Sequence, residues 1–161
     1  MKNEITDYDI CVCCGLYVKS FLCDKHRGQY IYYKEHNFVA FKPRRKMSKV
    51  QSAVYKMARE IFKSACFQEV IFPFMPFYRM DIVIPEYKGI IEYDSKIHFE
   101  FNKHFHKTKK NFRYRQALDS KKEGIVNEHG WKVLRINYKD KETEINRKLE
   151  WLKKKQKKTE K

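Results

Sequence analysis

The chain has 161 residues, of which 42% are hydrophobic and 16% aromatic, enough for one modest domain with a packed core and a small appendage. Its 36 Lys and Arg residues outnumber its 20 Asp and Glu residues, and the formal charge of +16 favours a polyanionic partner with a phosphate backbone. The sequence shows no long apolar run, no basic amphipathic anchor at its start and no signal-peptide pattern, which argues against a membrane partner and against secretion.

Four potential metal ligands lie in two short pairs near the N-terminus. Cys11 and Cys14 form a C-x2-C pair that Gly15 follows, and Cys23 and His26 form a C-x2-H pair. Each spacing lets two side chains turn onto one tetrahedral ion, and glycine permits the tight turn between them. These four residues are therefore predicted to hold a structural Zn²⁺, with ordinary buried thiols as the alternative.

The predicted zinc-binding unit spans residues 1–41 and ends in an aromatic segment. Cys13 leaves the ligand set open, because it could replace Cys11 or Cys14. Four ligands would close the coordination shell, so the zinc is expected to be structural and to stand in for the core that so small a unit lacks. The cysteines do not follow the pattern of a secreted disulfide framework, which favours a reducing cytosol.

A basic linker is predicted at residues 42–47, followed by a helix that begins at Ser48. The linker cations either contact a phosphate backbone or act as a solvated connector. Ser48 and Gln51 have the spacing of a capping box, and apolar residues repeat at helical intervals behind them. The linker cations are Arg44, Arg45 and Lys46.

Two β-strands joined by a turn are predicted between Phe77 and Asp94. Pro85 ends the first strand because proline has no N–H to donate to a ladder. By the period of two, Glu92 and Asp94 share a face of the second strand, and a hairpin brings Asp81 close to them. Carboxylates in strands this apolar are costly unless they are paired or bind a cation, so the three predict a site for a hard ion such as Mg²⁺. Pairing with Arg79 or a lysine, or a solvated sheet face, is the alternative.

Residues 95–115 combine histidines, cations and aromatic rings, and are predicted to form a loop that runs into a helix. Cations suit phosphates and rings suit bases, whereas a solvated lid is the alternative interpretation. His98 follows the acidic strand directly and is the histidine expected to face the site. The cations expected to contact nucleic acid are Lys103, Lys107, Lys109, Lys110, Arg113 and Arg115.

The remaining chain predicts a helix, a strand, a second helix and a basic tail at 153–161. Asp119 and Lys122 lie three residues apart on the first of these helices and so share a face, where an ordinary salt bridge is the default. Gly130 is expected to end that helix, and residues 131–137 form a clean final strand.

In this order, Asp81, the run E-Y-D at 92–94, His98, Asp119 with Lys122, and the run G-W-K-V-L-R-I at 130–136 resemble the PD-(D/E)xK nuclease superfamily. More narrowly, they are similar to the branch that contains very-short-patch repair endonucleases and free-standing phage homing endonucleases. The resemblance covers residues 48 to 138. It implies an α/β, restriction-endonuclease-like core at 48–152, a small mixed sheet flanked by helices. It also implies a Mg²⁺-dependent DNA endonuclease, a monomer or homodimer, in the host cytosol if phage-encoded.

The resemblance also implies roles for individual residues. Asp81 and Glu92 would bind Mg²⁺, and Asp94, which stands where many members have lysine, would join the metal or orient His98. His98 is then the candidate general base or acid, since its ordinary pKa is about 6.5. Lys122 would stabilise charge on the phosphate, and Asp119 matches the helical aspartate of the branch.

Two positions depart from the family pattern. Gln51 stands where many relatives carry a helix glutamate of the metal network, for which Glu69 could substitute, and Ser95 replaces the usual glycine. Competing functions are a non-catalytic zinc-containing nucleic-acid-binding protein, a nucleic-acid-coating structural protein, and a ββα-metal nuclease. The last is prompted by the four-residue spacing of His98, Asn102 and His106.

Overall fold

The computed structural model describes residues 10–16, 18, 21–42 and 47–157, which group into two compact units. Described residues of Met1–Lys46 and Phe67–Met80 form the first unit, and those of Met47–Cys66 and Asp81–Lys161 form the second. The predicted core ran without interruption from 48 to 152, whereas residues 67–80 group with the N-terminal part. The linker cations Arg44, Arg45 and Lys46, and residues 158–161 of the basic tail, lie outside the described residues.

The first unit is built on a short hairpin. It contains helix α1 (Asp24–Arg27) and strands β1 (Tyr30–Tyr33), β2 (Phe38–Phe41) and β3 (Phe67–Val70). β1 and β2 pair antiparallel, and an antiparallel bridge joins Val39 to Ile71, the residue directly after β3. This long-range bridge brings residues 67–80 onto the hairpin. The buried core of the unit consists of Cys11, Val12, Leu22, Cys23, Tyr30, Val39 and Ile71.

The second unit has helices packed on a mixed sheet. Its elements are α2 (Lys49–Phe62), β4 (Met80–Ile84), β5 (Gly89–Asp94), α3 (Lys103–His106), α4 (Lys109–Glu128), β6 (Lys132–Asn137) and α5 (Glu142–Lys157). The strands run in the order β4-β5-β6, with β5 antiparallel to β4 and parallel to β6. The predicted α/β class and the small mixed sheet flanked by helices are therefore confirmed.

One face of this sheet is apolar and carries the core. Ile82, Ile91 and Leu134 occupy it together with residues of α2 and α5, such as Ala58 and Leu149. Because side chains alternate along a strand, Asp81, Glu92, Asp94 and Arg135 lie on the opposite face. The candidate active-site carboxylates thus share one polar face, on the side that α4 covers through a bond from Arg135 to Glu123.

Local signals account for most element boundaries. The capping box at Ser48 is present, with Ser48 Oγ accepting from the Gln51 N–H at 3.2 Å. Helix α4 begins at Lys109, within the segment predicted to run from a loop into a helix, because Thr108 caps it by accepting the Asn111 N–H. Gly130 follows the C-cap residue with φ +80°, the left-handed conformation expected there. In the described part of the chain, no helix combines the length and apolarity needed to cross a membrane.

Candidate functional site

The four predicted zinc ligands meet in the first unit. One ligand atom from each of Cys11, Cys14, Cys23 and His26 lies within 4.8 Å of the other three. The Sγ atoms of Cys11 and Cys23 are 3.5 and 3.3 Å from His26 Nδ1, and those of Cys14 and Cys23 are 3.7 Å apart. Ordinary zinc–ligand bond lengths give a tetrahedral Cys3His site edges of about 3.8 Å between sulfurs and about 3.6 Å from sulfur to nitrogen. The four residues can therefore hold a metal ion of the size and preference of zinc.

Each pair of ligands is set by a short turn. The N–H groups of Cys14 and Gly15 donate to the Cys11 carbonyl at 3.3 and 2.8 Å, and Gly15 has φ +77°. Cys23 is the N-cap of α1, and the His26 N–H donates to its carbonyl at 3.0 Å. Both turns fold the second ligand of each pair back onto the first, as the two spacings predicted.

Electrostatics distinguish Cys11 from the neighbouring Cys13. Burial opposes ionisation of Cys11, but backbone N–H groups and the His26 ring outweigh it and lower the pKa of the thiol to about 6. Burial and the nearby Cys11 raise the pKa of Cys13 to about 12. Cys13 is also absent from the ligand cluster, so Cys11 and Cys14 are the first pair. The N–H groups that favour the Cys11 thiolate belong to Cys23, Cys13 and Cys14.

In the second unit, the hairpin sets Asp81 opposite Glu92. The β4–β5 register pairs Ile82 with Ile91, and one further residue along each strand leads to Asp81 and Glu92. Directly opposed residues of an antiparallel pair point to the same face. The two carboxylates predicted to share a metal therefore lie side by side.

Both carboxylates also bond to backbone donors at the end of the β4–β5 ladder. The Asp81 N–H donates to Glu92 Oε1 at 3.2 Å, and the Tyr93 N–H donates to Asp81 Oδ2 at 2.9 Å. These bonds fix the carboxyl groups against the strand ends. Among the described residues, only the Cys3His cluster brings three or more potential ligands within 4.8 Å of one another, so the acidic site offers a pair of carboxylates instead.

The environment of Glu92, which includes the nearby Asp81, shifts its pKa. Burial and the charge of Asp81 raise the pKa of Glu92 to about 8, although Lys122 and Arg135 act in the opposite direction. At neutral pH the Glu92 carboxyl group therefore retains its proton unless a cation enters the site. Asp81 and Glu92 therefore remain the candidate ligands of a divalent ion.

Arg135 is a member of this face whose partners sequence reasoning missed. It lies beside Glu92 in the β5–β6 register, and its Nη1 donates to Asp94 Oδ1 at 2.7 Å. Its Nε donates to Glu123 Oε2 at 3.1 Å. Asp94 is buried. Its charge is neutralised by the Arg135 guanidinium of β6. The alternation of apolar Leu134 and Ile136 with polar Arg135 and Asn137 was the available signal, because it sets Arg135 on the polar face of its own strand, although it does not identify the partner.

His98 is held mainly by Asp119 and only loosely by Asp94. His98 Nδ1 is 3.2 Å from Asp119 Oδ2 and 3.9 Å from Asp94 Oδ1. The bond to Asp119 raises the pKa of His98 despite partial burial, and the pKa of Asp119 is lowered by the same bond. Lys122 Nζ lies 3.6 Å from Asp119 Oδ1, so the predicted shared face of α4 is present. Asp94 thus contacts His98 at the longer distance, and the shorter contact to the ring comes from Asp119 on α4.

Gln51 and Glu69, the two residues considered for the position of the family's metal-network glutamate, make other contacts. Gln51 Oε1 accepts from the Ser48 N–H as part of the capping box. Glu69 belongs to the first unit and pairs with Arg79 at 3.0 Å.

The predicted nucleic-acid-binding segment is exposed and basic. Apart from Phe112, every residue in the first half of α4, from 109 to 117, is solvent-exposed. Large rings are exposed beside the cations, with 51% of Phe105 and 63% of Tyr114 accessible. The exposed cations are Lys103, Lys107, Lys109, Lys110, Arg113 and Arg115.

His106 has a structural role that does not fit the ββα-metal alternative. It is buried, and its Nδ1 accepts from the Asn102 N–H at 2.9 Å. Its ring packs near those of Phe101 and Phe112, with centroids 5.9 and 4.7 Å away. The four-residue spacing of Asn102 and His106 therefore closes the single turn of α3.

Comparisons of the chain with protein-family models, with curated proteins and with solved structures each found no match. The function is accordingly inferred from the chemistry of the Cys3His ligand cluster in the first unit and of the acidic face in the second.

Proposed function

We propose that the protein is a metal-dependent DNA endonuclease with a restriction-endonuclease-like core and a structural Zn²⁺. The observation that carries this proposal is the opposed pair Asp81 and Glu92, in which burial and the charge of Asp81 raise the pKa of Glu92 to about 8. A carboxyl group whose pKa is shifted this far by burial and by a second carboxylate is a candidate for a functional role.

The donor set suits Mg²⁺ as the catalytic ion. Magnesium is commonly held by one or two carboxylates and completes its shell with water and substrate phosphate, and Asp81 with Glu92 supplies such a pair. When bound, the ion would lower the pKa of water and neutralise charge on the scissile phosphate. Asp81 and Glu92 would hold it, and the bonds from the Asp81 and Tyr93 N–H groups keep both carboxyl groups in place.

Proton transfer is assigned to His98. Its side chain is 37% exposed, so a phosphate and a water can reach it, and Asp119 fixes its ring. Because its pKa is raised, the ring keeps its proton to higher pH than an ordinary histidine does, which suits a general acid that donates to the leaving oxygen. Lys122 then supplies positive charge beside the acid pair.

Affinity for DNA is assigned to the exposed cations of α3 and α4, with the aromatic rings between them able to contact bases. A single such site cuts one strand per encounter, so the expected product from a supercoiled plasmid is a nicked circle, as in a homing or repair-like nicking enzyme.

The decisive experiment compares the wild type with Asp81→Asn on supercoiled plasmid, with and without added Mg²⁺. Asparagine still accepts the Tyr93 N–H through its side-chain oxygen, so the fold is expected to survive while the charge is lost. Nicking should appear only with Mg²⁺ and should be lost in Asp81→Asn, whereas the exposed-surface control Glu128→Gln should retain it. Nicking by Asp81→Asn at the wild-type rate would refute the assignment.

A non-catalytic zinc-containing nucleic-acid-binding protein is the second candidate. It is favoured by the bonds in which both carboxylates accept backbone N–H groups, since these could be purely structural. In that case the wild type would bind plasmid but yield no Mg²⁺-dependent product.

A further inference from the structure

A groove of about 1020 Å³ lies in the first unit, beside the metal ligand His26 and the neighbouring Cys13. Tyr30 and Ile71, which line it, are almost completely buried, so the core of the unit backs the groove. The Tyr30 ring packs edge-on against Phe41, with the two ring centroids 5.1 Å apart. None of the functions assigned above uses this groove.

Phe77 forms one wall of the groove and combines two unfavourable features. It is 57% exposed, and its φ of +72° lies in the left-handed region that bulky residues rarely adopt. Its N–H donates to the Val12 carbonyl at 2.8 Å, and a Cβ built on Gly15 would sit 3.5 Å from the Cε1 and Cζ atoms of the Phe77 ring. The backbone is thus held with an exposed aromatic ring at the wall of the groove.

Two cations line the same groove. Arg79 is positioned by its 3.0 Å ion pair with Glu69, which is less exposed, and 42% of the Arg79 side chain remains accessible. The Lys42 N–H donates to the Gln29 carbonyl at 2.9 Å, which fixes the backbone that carries the second cation. The groove therefore combines an exposed aromatic ring with two cationic side chains.

We propose that this groove binds an unpaired nucleotide, with its base stacked on Phe77 and its flanking phosphates at Arg79 and Lys42. The choice of a nucleic acid as the ligand rests on the proposed function and on the +16 charge of the chain. A base inside a duplex is stacked on both faces, so only an unpaired or extruded base can enter a groove and stack on a side chain. The preferred substrate is thus DNA with single-stranded nucleotides, such as an overhang, a flap or a junction.

The test measures fluorescence anisotropy of a labelled single-stranded oligodeoxynucleotide of about 12 nucleotides and of a blunt duplex of the same sequence, both without Mg²⁺. Phe77→Gly suits the positive φ and should fold, but it should weaken single-strand binding about fivefold or more and leave duplex binding nearly unchanged. Phe77→Tyr should retain binding, because a ring is restored. Measurement of the zinc content verifies that each variant keeps its metal site.

Two matched controls are available in the same unit. Leu16 follows Gly15 directly in the chain and is 60% exposed, but it does not line the groove. The Leu16→Ala variant should therefore bind like the wild type. Lys42→Ala should weaken single-strand binding more than Lys34→Ala, which removes the same charge from the β1–β2 turn. Photo-cross-linking of an iodouracil-containing strand should label the peptide that contains Phe77.

Unchanged single-strand binding by Phe77→Gly, or an equal loss on the blunt duplex, would overturn the groove assignment. Competition by polyglutamate as effective as that by the oligonucleotide would also overturn it, because an acidic peptide would then suffice. Failure of the endonuclease proposal is recognised separately. In that case the wild type shows no Mg²⁺-dependent nicking, while Phe77→Gly still loses single-strand binding.

Discussion

At the scale of single residues, the polar face of the second unit is a set of charges that compensate one another. Asp94 is 7% exposed at its side chain and would be strongly destabilising if left alone, but Arg135 bonds it at 2.7 Å. Glu92 lies between this pair and Asp81, and has the raised pKa that a cation would reverse. Asp94 is neutralised by Arg135 and is therefore the structural carboxylate. Glu92, which holds its proton more strongly than an ordinary glutamate does, is the candidate metal ligand.

The His98–Asp119 pair predicts a pH dependence at this scale. Because folding raises the pKa of His98, the pair's contribution to the free energy of unfolding is fully present below about pH 6.5 and is lost as pH rises through the folded pKa. Asp119→Asn should lower the pKa of His98 and flatten this loss of stability. Titration of the His98 ring by NMR and urea unfolding on either side of pH 6.5 measure the two effects.

Glu100→Gln provides the control for that titration, because Glu100 is an exposed carboxylate near His98 that bonds Lys96 and Tyr138. It should leave the His98 pKa unchanged. An unchanged His98 pKa in Asp119→Asn would show that the bond to α4 does not hold the ring in solution.

At the scale of elements, metal binding should decide whether the first unit folds. Two ligands, Cys11 and Cys23, belong to its small buried core, so removing the ion would remove the bonds that join the two ligand pairs within that core. Cys23→Ser is therefore expected to reduce zinc content from one equivalent to none and to unfold this unit, whereas Cys66→Ser in the second unit should retain the zinc. Metal analysis with circular dichroism measures both.

Both tryptophans, Trp131 and Trp151, lie in the second unit and so report on it alone. Their fluorescence should be unchanged in Cys23→Ser. Wild-type protein that is folded without bound zinc would contradict the prediction.

Elements that depend on local spacing could be predicted from the sequence, and those that depend on distant pairing could not. The capping box at Ser48, the glycine at 130 and the two ligand pairs each involve residues only a few positions apart. By contrast, residues 67–80 join the first unit through the bridge from Ile71 to Val39. The bond from Arg135 to Asp94 likewise spans 41 residues. Such partners are chosen by strand register, which composition and local periodicity do not specify.

At the scale of the whole molecule, the net charge is +16. If the exposed half of α4 contacts DNA, its cations should contribute more to DNA affinity than exposed cations elsewhere on the molecule. Lys110 and Arg113 lie three residues apart and share a face of this helix. Lys49 and Lys56 are exposed on α2, at a spacing of two helical turns, and provide a pair of equal charge. The two pairs allow the effect of net charge to be separated from that of specific phosphate contacts.

The double variant Lys110→Ala with Arg113→Ala should reduce the slope of log affinity against log salt concentration by about 1.8, because each lost phosphate contact releases about 0.9 fewer counterions. Lys49→Ala with Lys56→Ala lowers the net charge equally but should change the slope little. Binding of a duplex is measured by anisotropy across a salt series without Mg²⁺, so that cleavage does not interfere. Equal slope changes in the two double variants would mean that DNA responds to the total charge of the molecule and that α4 is not its docking element.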